Sequence, residues 1–102
     1  MRKKEDQFKS PLSSFQLLER VIVQSEQQLL DLANLLKNGK PLLLSFELLD
    51  VEVSNRMIGF LSGVVYAMDG ATYFTDQKTI LFASGKNFED GTLRQFVKER
   101  QM

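Results

Sequence analysis

At 102 residues, with 43% hydrophobic and 25% charged side chains, the chain has the size and balance of one globular domain with its own core. Thirteen Lys and Arg offset thirteen Asp and Glu, which argues against a broad basic surface for nucleic acid. There is no Cys and no His, so disulfides, thiol nucleophiles, Cys/His zinc sites and histidine-based triads are excluded.

The expectation is a protein with no cofactor and no metal. Lack of Cys fits a reducing compartment. No apolar run approaches the roughly 18 residues of a membrane span. Met1-Arg2-Lys3-Lys4-Glu5-Asp6 has no apolar h-region behind it. A cytoplasmic protein is expected.

Residues 1–14 are polar and read as a flexible tail, with the domain over 15–102. Phe8, Leu12 and Phe15 have helical spacing beside Lys3, Lys4 and Lys9, but Pro11 interrupts them and Glu5 and Asp6 oppose anionic lipid. Strong membrane contact is therefore not expected. Leu17 to Val23 reads as a strand through its Val21-Ile22-Val23 run. Ser25-Glu26-Gln27-Gln28 is a capping box that opens a helix. Leu29, Leu32, Ala33 and Leu36 form its apolar stripe, and Asn38-Gly39 before Pro41 ends it.

Leu42-Leu43-Leu44 is a short apolar run, read as a strand buried on both faces. Asp50 is the expected cap of a second helix, with Val53, Met57, Phe60, Leu61, Val64 and Met68 as its core stripe and Gly70 at its end. Asn55, Gly59, Ser62 and Tyr66 fall roughly opposite that stripe, with Gly63 beside them. Each interior glycine costs a helix about 0.8–1 kcal/mol relative to Ala. Close approach by another backbone would offset that cost, and Gly59, Gly63 and Ala67 make a line of small side chains. The alternative for Gly63 is room for the chain's own terminal helix around Phe96.

Thr72-Tyr73-Phe74-Thr75 and Thr79-Ile80-Leu81-Phe82 predict a hairpin around Asp76-Gln77-Lys78. A loop over 84–91 follows, then a terminal helix over Thr92 to Gln101. The order predicts a two-layer α/β sandwich, β-α-β-α-β-β, with two helices on one face of a mixed sheet plus a short C-terminal helix. The double burial of Leu42, Leu43 and Leu44 then calls for that terminal helix or a second subunit, and a dimer through this sheet is the expectation.

Little in the sequence supports catalysis. Phosphate-binding loops, nucleophile elbows and zincin pairs are absent. Glu47, Asp50 and Glu52 suit a helix N-terminus better than a metal. Asp69-Gly70 reads as a turn. Tyr73 and Phe74 read as packing residues rather than base-stacking platforms.

The block Lys37-Asn38-Gly39-Lys40-Pro41, then Arg56-Met57-Ile58-Gly59-Phe60-Leu61-Ser62-Gly63 and Tyr66-Ala67-Met68-Asp69-Gly70, resembles the C-terminal domain of SepF, a family of bacterial cell-division proteins. The resemblance covers about residues 17–83 and, more loosely, the tail at Gly91-Thr92. It implies a non-enzymatic adaptor at the division septum. It further implies a homodimer with facing sheets, capable of higher assembly, that binds the C-terminal tail of FtsZ. Arg56, Phe60 and Val64 match the tail-binding helix, and Gly63 matches the glycine of close self-association. Gly59 stands where the family usually has Asp, and the hairpin is poorer in Ile, Val and Gly. The amphipathic membrane helix and linker that begin such proteins are not evident in residues 1–14. A small regulatory or ligand-sensing α/β dimer is the alternative; it would need a closed pocket, and an enzyme would need converging titratable groups.

Overall fold

The computed structural model describes residues 12–100. In chain order the elements are α1 (Ser14–Leu17), β1 (Glu19–Ile22), α2 (Leu29–Lys37), β2 (Leu42–Ser45), α3 (Val51–Tyr66), β3 (Ala71–Phe74), β4 (Thr79–Ala83) and α4 (Thr92–Arg100). Single 3-10 turns, Glu26–Gln28 and Gly85–Phe88, precede α2 and α4. The sheet runs β1-β2-β4-β3, with β1 parallel to β2 and the other pairs antiparallel. This is the mixed α/β fold expected from the element order.

Alternation along the central strands explains the layers. Leu42 and Leu44 of β2, with Ile80 and Phe82 of β4, point into a core filled by Leu32, Ala33 and Leu36 of α2 and Met57, Leu61 and Val65 of α3. The intervening Leu43, Leu81 and Ala83 point the other way, onto Leu93, Phe96 and Val97 of α4. A period of two sends successive side chains to opposite faces. Both central strands are thereby buried on both sides, as their unbroken apolar runs require.

The second face is thus covered from within the chain. Leu42 and Leu44 are fully buried and Leu43 is 9% exposed. The uncovered face that motivated a sheet dimer through Leu42, Leu43 and Leu44 is occupied by α4. In the single chain these leucines are core.

The start of the domain differs from expectation. Residues 1–11 of the expected tail, with Phe8, lie outside the described residues. Ser14–Leu17 is helical, and the strand begins at Glu19 rather than Leu17. The cause is a second capping box. Ser13 Oγ accepts from the Gln16 amide at 3.1 Å, and Gln16 Oε1 accepts from the Ser13 amide at 2.9 Å.

The expected cap of α3 forms, whereas Ser25 caps the 3-10 turn ahead of α2 rather than α2 itself, whose first flanking residue, Gln28, makes no side-chain cap bond. Gln28 Oε1 accepts from the Ser25 amide at 3.2 Å, and Ser25 Oγ accepts from the Gln27 amide, rather than that of Gln28, at 3.3 Å. Asp50 Oδ1 accepts from the Val53 amide at 2.9 Å. Gly39, at φ +89°, closes α2. At the end of α3 the left-handed residue is Asp69, at φ +58°, rather than Gly70. Gly70 is required for a different reason: a Cβ there would collide with the Ala83 carbonyl oxygen.

A candidate protein-binding face on helix α3

Helix α3 turns Ser54, Met57, Leu61 and Val65 inward. Val53 and Val64 sit half-buried at the edge of the same core. Phe60, read from the sequence as part of the core stripe, instead lies 45% exposed. At about 100° per residue it is turned away from the fully buried Leu61. Arg56, Phe60 and Val64 follow one another at four-residue spacing, so they share a flank.

That flank borders the start of α2. Arg56 Nε and Nη2 each donate to Glu26 at 3.0 Å, to Oε2 and Oε1 respectively. The two parallel bonds hold the guanidinium plane in one orientation beside Phe60. The Arg56 hydrogen bonds hold the Glu26 carboxyl below its ordinary range. Both partners are exposed, so the contact orients more than it stabilises.

Gly59 and Gly63 occupy the middle of the outward face. A Cβ at either position would meet nothing within 4 Å outside its own helix. The chain's own terminal helix therefore does not fill the space over Gly63; Phe96 packs on the opposite side of the sheet. Ala67, which caps the helix, is exposed too. Gly59, Gly63 and Ala67 thus form an open line of small residues with Tyr66, 79% exposed, alongside.

Two features were not legible from residue spacing. One is an open depression of about 570 Å³ between α3 and β3, lined by Ser62, Gly63, Tyr66, Gly70, Ala71, Thr72 and Tyr73. Ser62 and Thr72 hydroxyls meet across it at 3.2 Å. The other is the seam of α1 and α4, where Phe15 and Phe96 ring centres lie 5.5 Å apart and Arg100 stands 4.2 Å over Phe96. The first depends on how α3 packs beside the strand that follows it, and the second on contact between segments far apart in sequence. The Ser13–Gln16 box was the one local signal available.

Two other carboxylates shape the backbone. Asp76 Oδ1 accepts from the Lys78 and Thr79 amides, both at 2.9 Å, which shapes the hairpin turn. Its carboxyl is lowered first by the Lys78 amide. Of the acidic cluster, Asp50 caps α3. Among the described residues no group of three or more Asp or Glu is placed to hold a metal ion, and no helix is long and apolar enough to cross a membrane.

Comparison with known proteins identifies a family. The sequence profile of the family described as "Cell division protein SepF" matches residues 21–87, from β1 to the turn before α4. A cell division protein SepF of Carboxydothermus hydrogenoformans is 34% identical over 65 residues, covering 64% of this chain and 47% of the relative. One from Natranaerobius thermophilus is 33% identical over 63 residues, covering 62% and 38%. One from Lactobacillus gasseri is 29% identical over 70 residues, covering 69% and 49%. The aligned part is thus less than half the length of these relatives. The matched span runs from within β1 through β4 and includes the whole of α3, and on that ground the chain belongs to the SepF family of cell-division proteins.

Proposed function

We propose that this domain is a non-enzymatic division adaptor that self-associates and binds the C-terminal tail of FtsZ, supporting Z-ring assembly at the cytoplasmic side of the septum. The carrying observation is the flank of α3. An exposed aromatic ring, Phe60, sits beside an immobilised guanidinium, Arg56, on a helix anchored by a full core stripe. Aromatic and arginine side chains on a rigid support are the usual anchors of a peptide site. Val64 extends the same flank with partly buried apolar surface. The open line of Gly59, Gly63 and Ala67 suits a second helix approaching closely in higher assemblies.

Fluorescence anisotropy of a labelled FtsZ C-terminal peptide tests this reading. The chain should bind the peptide saturably, and Phe60→Ala and Arg56→Ala should each weaken binding about tenfold or more, a change of roughly 1.4 kcal/mol. Unchanged binding in folded variants would place the site elsewhere. A ligand-sensing domain is less well supported, because the depressions at the surface are open rather than closed.

A further inference from the structure

We propose that the chain has a second binding site, for a small organic phosphate, in the groove between β3 and α4 lined by Tyr73, Arg94, Val97 and Lys98. It lies on the side of the sheet away from α3 and is independent of the flank assigned to the FtsZ tail.

One buried ring sets the walls of this groove. Phe88 closes the 3-10 turn before α4 and is almost wholly out of solvent. The Tyr73 ring meets it edge-on at 5.8 Å, and the Arg94 guanidinium carbon stands 5.5 Å from its centre. Phenol and cation are therefore held on a common support. Val97 is buried and gives the groove an apolar side. Lys98 follows Arg94 by one helical turn, so the two cations share a flank of α4.

The charge of that flank is not neutralised. Ion pairs among the described residues engage Lys40, Arg56 and Arg100. Arg94 and Lys98 have no acidic partner among the described residues, and none of the groove's described lining residues is an acid. The Tyr73 hydroxyl likewise has no hydrogen-bond partner among them. Helix electrostatics accounts for Lys98, which stands in the last turn of α4, where a cation is favoured. It does not account for Arg94 in the first turn, where a cation is disfavoured. Packing on Phe88 fixes where Arg94 lies but supplies no counter-ion.

The donors select the ligand. A guanidinium offers two parallel N–H groups to two oxygens, an ammonium is a point charge, and a phenol can donate one bond more. A carboxylate, with two oxygens and one charge, is satisfied by the guanidinium alone. A phosphate monoester presents three terminal oxygens and close to two charges, which matches the whole set. The Val97 and Tyr73 surfaces favour an organic body on the ester. At about 310 Å³ the groove has room for a small molecule. Because it is open, affinity comes from charge rather than enclosure, and a readily exchanging ligand is expected.

Amide-shift titration of the full chain with phenyl phosphate, at constant ionic strength, tests the site. Saturable shifts should centre on Tyr73, Arg94, Val97 and Lys98. Inorganic phosphate should bind about tenfold more weakly, having no apolar body to bury, and benzyl alcohol should not saturate. Arg94→Gln and Lys98→Gln should each weaken phenyl phosphate about tenfold. Lys37→Gln, on α2, should leave it unchanged. Shifts spread evenly over the surface cations, or a Lys98→Gln variant that binds as before, would overturn the site. Inorganic phosphate that binds as tightly as phenyl phosphate would overturn the organic class. Vesicles of phosphatidylglycerol and phosphatidylcholine that engage these residues, with phenyl phosphate failing to do so, would overturn the small-molecule reading in favour of a lipid surface. If Arg94→Gln disturbs the fold through its lost contact on Phe88, Lys98→Gln decides, together with Tyr73→Phe, which keeps the ring and should weaken binding about threefold.

Discussion

The backbone amide of Ser14 donates to the Asp90 carboxylate at 2.8 Å, joining α1 to the start of α4. Asp90 also accepts from the Thr92 amide at 3.0 Å and from the Thr92 hydroxyl at 2.8 Å. Phe15 follows with its amide on Thr92 Oγ1 at 3.0 Å. The cover over the Leu43 face is therefore α4 tied down by α1.

Asp90→Ala should loosen this cover. Removing charged acceptors at a mostly exposed site should cost about 1–2 kcal/mol, and amide exchange at Ser14 and Phe15 should accelerate before exchange in β2. The Thr92 amide, then the Ser14 amide, holds the Asp90 carboxyl below its ordinary value. A depressed folded pKa adds stability above the unfolded pKa of about 3.9. That contribution should disappear as pH falls through the lower, folded value. Wild type should thus lose its advantage over Asp90→Asn in acid melts; an advantage that persists at the lowest pH would contradict the assignment.

Phe60 and Leu61 are neighbours with opposite roles. Leu61→Ala should cost about 2–5 kcal/mol, as for a fully buried leucine. Phe60→Ala should cost well under that range, because the ring is partly in solvent. Denaturant melts of the two variants check this ordering. Equal losses would put Phe60 in the core and remove it from the proposed site.

Gly63 separates helix propensity from assembly. Its Cβ direction is open, so Gly63→Ala should stabilise the monomer by about 0.8–1 kcal/mol. Gly63→Lys should remain folded and lose higher assemblies, read by light scattering. An unfolded Gly63→Lys variant would mean that another part of the chain fills that space.

Glu26→Gln should leave stability nearly unchanged, because the Arg56 pair is exposed. It should release Arg56 all the same. If Arg56 acts by its fixed orientation, peptide binding will weaken in low and high salt alike; if by charge alone, removing the nearby carboxylate will strengthen it.

The elements that were legible in advance carry strong local signals. Asp50 before a periodic run, Asn38-Gly39 before Pro41, and the unbroken Leu42-Leu43-Leu44 each specify their own structure. The same strand shows the limit. Its composition calls for cover on both faces but does not say whose side chains supply it, and Leu93, Phe96 and Val97 come from the end of the chain. Phe60 was misplaced because it falls at the margin of an apolar arc, where a small helix rotation separates core from surface. The groove at Tyr73 depends on α4 lying beside β3, which no local pattern specifies.

Amide shift mapping of the chain with an FtsZ C-terminal peptide tests the central claim most directly. The account predicts saturable shifts concentrated at Arg56, Phe60 and Val64, with Leu93, Phe96 and Val97 of α4 unmoved. Shifts centred on α4 and α1, with the α3 flank silent, or no shifts at millimolar peptide, would contradict it.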